Sequence, residues 1–371
     1  MRKRLGLIVN PVAGLGGRVG LKGSDGEEIQ RQARALGALA PAAERAAAAL
    51  ERLRPAAEEF ELITYPAEMG EAVARGCGLE PTVIGEITPG RTTAADTRRA
   101  AREMMDRGVA LLLFAGGDGT ARDVYDAIGE DLPALGIPTG VKMHSAVFGT
   151  HPTSAGELAL LFLRGKVGLR EAEVMDIDEE ALRQGQVRAR LYGYLRIPFE
   201  RQLVQSLKSP SGPGEREAMR AIAADVAEGM VPGVAYVLGP GTTTRAIAER
   251  LGVPKTLLGV DVVRDGQVVA LDVNEAYLLR LSQEGPVKVI VTPIGGQGYL
   301  FGRGNQQISP AVLRRIGREN ILVVSTSQKL QALGGRPLLV DTGDPDVDRW
   351  LCGYYRVITG YRERTVYRVS C

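Results

Sequence analysis

Gly116-Gly117-Asp118-Gly119-Thr120 is the run of residues best suited to chemistry in this chain. It follows an apolar stretch of strand length (109–115) and precedes a segment of helical pattern (121–128). A strand that turns on glycine into a helix presents backbone N–H groups at the helix N-terminus, where phosphate binds. Glycine lets a ligand approach the backbone closely. A carboxylate in such a loop repels phosphate unless it holds a metal ion or takes a proton from an attacking hydroxyl. Both tasks belong to phosphoryl transfer. Asp118 is therefore the candidate catalytic residue, with Gly116, Gly117, Gly119 and Thr120 placed to line phosphates. An isolated Asp-Gly would read as an ordinary turn; the complete pentad at a strand end argues for a site.

Other loops repeat these chemical types. A first strand (5–10) ends at Asn10-Pro11 and enters a glycine-rich stretch holding Gly14, Gly16 and Gly17. A later loop (88–93) carries Thr92 and Thr93, and Lys142, His144 and Ser145 follow the pentad as candidate hydrogen-bonding groups. Residues 239–245 again place a Gly/Thr turn between a strand and a helix. Thr242, Thr243 and Thr244 suit a second phosphate with Arg245 supplying charge, and simple helix capping explains them equally well. Residues 292–307 hold five glycines among sixteen positions, which fits a substrate-binding loop or a subunit contact. The two histidines (His144, His151) and three cysteines (Cys77, Cys352, Cys371) have no metal-ligand spacing.

The elements that must position these residues alternate in the first part of the chain. Strand patterns at 5–10, 60–65, 82–87 and 109–115 are separated by helical patterns at 42–53, 69–75 and 93–107. Alternation of this kind predicts a doubly wound parallel α/β domain, with ligand outside the carboxyl ends of the strands. The loops at 10–23, 88–93 and 116–120 should then converge. After about residue 150 β-type patterns dominate (187–197, 234–238, 256–263, 267–272, 287–292, 321–325), with a helix at 215–228. The expected organisation is an α/β nucleotide-binding domain over 1–150 and a β-rich substrate domain over 151–371, its tail free to return to the first domain.

With 371 residues, 44% hydrophobic and 24% charged, the chain has the composition of a two-domain globular enzyme. A net charge of +2 gives no reason to expect nucleic acid or a membrane surface as partner. No stretch approaches the ~20 apolar residues of a membrane span. A cytoplasmic location and a homo-oligomeric state are the expectations.

Taken together, these pieces resemble the NAD kinase superfamily, and more narrowly the ATP-NAD kinase-like branch associated with acetoin-catabolism AcoX proteins. The resemblance rests on Asn10-Pro11 with its glycine loop, Thr92-Thr93-Ala94-Ala95-Asp96-Thr97, the pentad, residues 140–145 and residues 292–307. The pentad is shared with lipid kinases, so it marks a superfamily and no single substrate. The resemblance implies a nucleotide site between an α/β and a β-rich domain, ATP or polyphosphate as donor, and Mg²⁺ as the accompanying ion. It implies that Asp118 activates the adenosine-ribose 2′-OH of NAD. Thr292, Pro293, Gly295, Gly296 and Gln297 would form the substrate loop, reading Thr-Pro-Ile-Gly-Gly-Gln-Gly-Tyr where established NAD kinases carry Thr-Pro-Thr-Gly-Ser-Thr-Ala-Tyr. Another nucleotide, a polyol or a lipid as acceptor, or a nucleotide sensor without turnover, are the alternatives.

Overall fold

The computed structural model describes residues 2–21, 27–141, 143–177, 189–200, 203–204, 214–256, 258–294 and 298–371. The chain divides into two compact units: Met1–Leu15 with Gly23–Ser206, and Gly16–Lys22 with Leu207–Cys371. The first unit thus extends well past residue 150.

Its sheet contains β1 (Lys3–Val9), β2 (Phe60–Thr64), β3 (Thr82–Val83), β4 (Leu111–Gly116) and β5 (Ala134–Pro138), all parallel, in the order β3-β2-β1-β4-β5. The helices are α1 (Glu27–Ala35), α2 (Ala42–Leu53), α3 (Glu71–Gly76), α4 (Ala94–Asp106), α5 (Asp118–Ile128) and α6 (Pro152–Leu163). α2 packs on α6, and α4 packs on α5. Every residue of β4 is buried, as a central strand covered on both faces requires. From β1 the chain proceeds to one side of the sheet and from β4 to the other. The gap between their carboxyl ends is therefore a topological switch point, where ligands bind in open α/β sheets.

An antiparallel hairpin, β6 (Leu169–Ile177) with β7 (Ala189–Pro198), packs against α5 and β5. This packing keeps residues 151–200 with the first unit and accounts for the later boundary.

The second unit holds a nine-stranded sheet of order β10-β9-β8-β11-β13-β15-β16-β14-β12. Its parallel centre is β8 (Ala235–Leu238), β11 (Val287–Val291), β13 (Ile321–Val324) and β15 (Gly353–Gly360). β9 (Asp261–Arg264) extends one edge antiparallel to β8, and β10 (Gln267–Ala270) pairs antiparallel with β9 beyond it. On the other side lie β16 (Glu363–Ser370), β14 (Leu338–Val340) and β12 (Tyr299–Phe301). The C-terminal strand β16 completes this sheet between β15 and β14.

Helices α7 (Glu215–Glu228), α8 (Thr242–Leu251), α9 (Glu275–Glu284), α10 (Pro310–Ile316), α11 (Ser327–Ala332) and α12 (Pro345–Leu351) accompany the sheet. Alternation along β11 shows how both faces are filled. Val289 and Val291 join a core with Leu278, Leu281 and Leu313, whereas Ile290 joins another with Ile222 and Ile247. The unit is β-rich, as expected, but helices add to the cores on both faces.

Candidate active site

β4 ends at Gly116, Gly117 takes an extended conformation (φ −118°, ψ −163°), and α5 begins at Asp118, three residues earlier than the apolar pattern suggests. A carboxylate in the first turn is favoured by the helix dipole. A Cβ on Gly116 would lie 2.3 Å from Thr120 Cβ, so only glycine lets the first turn fold back over the strand end. Gly116 O accepts from the amides of Thr139 (3.0 Å) and Gly140 (3.2 Å), which joins the end of β5 to that of β4.

On the other side of the switch point stands Asn10, just after β1. Its Oδ1 accepts from Val12 N (3.2 Å) and its Nδ2 donates to Thr120 Oγ1 (2.9 Å). Gly14 has φ +79°, and a Cβ there would sit 2.4 Å from Thr139 O. The loops after β1, β4 and β5 therefore touch one another through Asn10, Gly14, Thr120, Thr139 and Gly140. Thr120 Oγ1 accepts from Asn10 and keeps its own proton to donate, so α5 offers an anion this hydroxyl together with the backbone N–H groups of its first turn.

Asp118 is held from the loop that follows β5. Its Oδ2 accepts from His144 N (2.7 Å) and its Oδ1 from Ser145 N (3.0 Å), while His144 Nδ1 lies 3.2 Å from Oδ2. The side chain is only 10% exposed. An ionised carboxylate has about four acceptor positions, so capacity remains for a substrate hydroxyl. Ser145 Oγ accepts from Met175 N (2.9 Å), and its role is to fasten this loop to β6. Farther along α5, Asp123 pairs with Arg98 of α4 (2.6 Å). Burial pushes the Asp123 carboxyl up by more than Arg98 and Arg122 pull it down.

The remaining expected residues have the following local settings. Thr92 is half-buried and Thr93 exposed before α4. The Asp96 carboxylate accepts from Thr93 N (2.8 Å) and Thr93 Oγ1 (3.0 Å), so this hydroxyl closes a helix turn. Gly16 and Gly17 group with the second unit, where a Cβ on Gly17 would lie 3.2 Å from Gln306 Cβ. Thr242, Thr243 and Thr244 form the first turn of α8. Thr242 is exposed, and the buried Thr244 donates from Oγ1 to Gly239 O (2.7 Å) with Gly241 O at 2.9 Å. Thr292 and Pro293 are buried at the end of β11. Lys142, Gly295, Gly296 and Gln297 lie outside the described residues.

Sequence reasoning overlooked Thr139, because residues 134–138 contain a glycine and a proline and do not read as a strand. It also overlooked Lys329, whose Nζ donates to Thr243 Oγ1 (3.2 Å) across 86 positions of sequence. Among the described residues no group of three His, Cys, Asp or Glu side chains could cage a metal ion, and no helix is long and apolar enough to cross a membrane.

No curated protein matches the chain. Two family models do: the ATP-NAD kinase N-terminal domain over residues 5–167, and the ATP-NAD kinase C-terminal domain over residues 231–369. The first match includes most of β1, the switch point and Asp118; the second runs from before β8 to the next-to-last residue of β16. On the strength of both matches, the chain belongs to the NAD kinase superfamily.

Proposed function

We propose that this chain phosphorylates NAD at the adenosine-ribose 2′-OH, with Asp118 as the group that receives the hydroxyl proton. Membership of the superfamily makes it an ATP-dependent kinase acting on a small molecule. The observation that supports the assignment of Asp118 is its placement. A carboxylate held by the His144 and Ser145 amides stands at the N-terminus of α5, on the switch point of a parallel sheet.

Phosphoryl transfer passes through a loose transition state, so positioning and charge stabilisation matter more than a strong base. The two amide bonds suit Asp118 to that task. They fix the carboxylate in one orientation, with an oxygen toward each amide. A substrate hydroxyl that donates to a remaining lone pair is aimed at the terminal phosphorus. Its proton passes to Asp118 as the new O–P bond forms and the bond to the ADP oxygen breaks. N–H groups of the first turn of α5 face the charge that develops on the phosphoryl oxygens.

A divalent ion fits this site as part of the substrate. Mg²⁺ commonly binds through phosphates, waters and one or two carboxylates, and the described residues form no cage of their own. It would neutralise charge on the triphosphate.

The test is an acceptor screen with purified protein, γ-labelled ATP and Mg²⁺, offering NAD, NADH and a panel of hydroxyl metabolites. A product heavier than NAD by one phosphoryl group, absent with Asp118→Asn, supports the reading. Labelled product from another acceptor, with NAD untouched, would reject NAD while retaining the kinase.

A further inference from the structure

The second unit brings two of the three cysteines together. Cys352 is the C-cap of α12, immediately before β15, and Cys371 follows the last residue of β16. These strands are antiparallel, with Gly353 opposite Val369. The register puts Cys352 across from Ser370 and diagonally beside Cys371. An offset of one residue on a neighbouring strand keeps two Cα atoms at about 6 Å, inside the roughly 4.4–6.8 Å that a disulfide spans.

Alternation along the strands decides which face each sulfur uses. Tyr355 and Val369 join the same core, and a side chain two residues beyond Val369 continues on their face. In a regular strand Cys352 would point the other way. Gly353 breaks the alternation with φ +126°, a conformation that favours glycine, and Cys352 packs partly buried against that same core. The amide and the thiol of Cys371 both make hydrogen-bond contact with the Cys352 side chain. On its other side the Cys352 thiol donates to Asp348 O (3.1 Å).

The two thiols differ in access. Burial, and after it the Cys371 thiol, pushes the Cys352 thiol up to about 12, so it stays protonated at neutral pH. Cys371 is exposed and is the sulfur that an oxidant meets first.

We propose that Cys352 and Cys371 are a reversible redox pair, which peroxide closes into a disulfide tying the start of β15 to the end of β16. Hydrogen peroxide converts the Cys371 thiol to a sulfenic acid and leaves as one water. The Cys352 sulfur then attacks the Cys371 sulfur. An S–S bond forms, the S–O bond breaks, and the hydroxyl departs with the Cys352 proton as a second water. Each sulfur gives up one electron, and the peroxide gains two. A dithiol reductant reverses the change. The inference is independent of the kinase reading.

The test treats the reduced full chain with hydrogen peroxide and digests it with trypsin without reductant. Cleavage after Arg349, Arg356 and Arg368 releases Cys352 in peptide 350–356 and Cys371 in peptide 369–371. The two peptides should appear joined, lighter than their sum by two hydrogens, and dithiothreitol should separate them. The linked chain should also unfold at a higher temperature than the reduced one, because the bond restricts the unfolded chain. Cys371→Ser, at an exposed position, should abolish both the linked peptides and the rise while leaving the reduced midpoint unchanged. The absence of linked peptides after oxidation, Cys371 joined to a second chain instead, or a lower midpoint in the linked chain would each overturn the pair.

Discussion

Two acceptors and one missing methyl group define the arrangement at the switch point. Asp118 spends one bond from each oxygen on the amides of His144 and Ser145. An asparagine there keeps one acceptor but turns an NH₂ toward an amide donor. Asp118→Asn should therefore lower kcat by about 10²-fold or more, the range of a lost proton acceptor, with a much smaller change in ATP affinity. Full activity in that variant would remove Asp118 from the mechanism. Gly116 is as constrained as Asp118, for steric reasons. Alanine would force a methyl into the Thr120 side chain and pull its hydroxyl from Asn10. Gly116→Ala should lower stability by about 1–3 kcal/mol, read by denaturant unfolding.

Among the elements, α4 shows a hydroxyl that looked like a ligand serving a helix end. Thr93 donates its amide and hydroxyl to Asp96, so Thr93→Ala should cost about 1 kcal/mol of stability and leave ATP binding intact, as calorimetry would show. Burial alone would raise the Asp96 carboxyl, but the Thr93 groups and Arg99 outweigh it and hold it below the usual range. The folded value lies beneath the unfolded one, near pH 3.9. The stabilisation is therefore present above that pH and fades as pH falls through the lower folded value. Asp96→Asn should flatten this acid limb in unfolding measured against pH.

Elements whose local pattern and burial agree were legible in the sequence. α2 and α7 occupy the residues expected of them, and β4 differs by a residue or two. Strand β3 shrank to two residues, and α1, α9 to α11, β5, β6, β12 and β14 to β16 were not foreseen. The strands among them depend on neighbours that periodicity cannot see. Thr82 and Val83 are a strand only because Ile63 and Thr64 lie beside them. The site divided in the same way. Pentad chemistry is local and could be read from Asp118 and its glycines. The amides of His144 and Ser145, and Lys329 beside Thr243, are tertiary contacts.

For the whole molecule, the second unit is not one continuous stretch of chain, because Gly16–Lys22 groups with it. Within that unit Arg18 O accepts from Glu275 N at the start of α9 (3.2 Å), and Gly17 meets Gln306. A fragment of residues 207–371 alone lacks these contacts. It should unfold at a lower temperature than the second unit does in the full chain, and a peptide of residues 16–22 should recover part of the difference. A fragment as stable as the parent would show the segment to be dispensable.

The close packing of the switch point also restricts how such a protein can diverge. Gly14 and Gly116 have no room for a methyl group, and a Cβ on Gly117 would meet Gly140 Cα at 3.1 Å. Single substitutions at these positions pass through impaired intermediates, and every residue of β4 is equally enclosed. Drift toward a new acceptor must therefore enter through residues that are not locked in this way. In a mutational scan scored for phosphorylation of alternative hydroxyls, gains of activity should be absent from Gly14 and Gly116 and found among the solvent-facing residues of the surrounding loops.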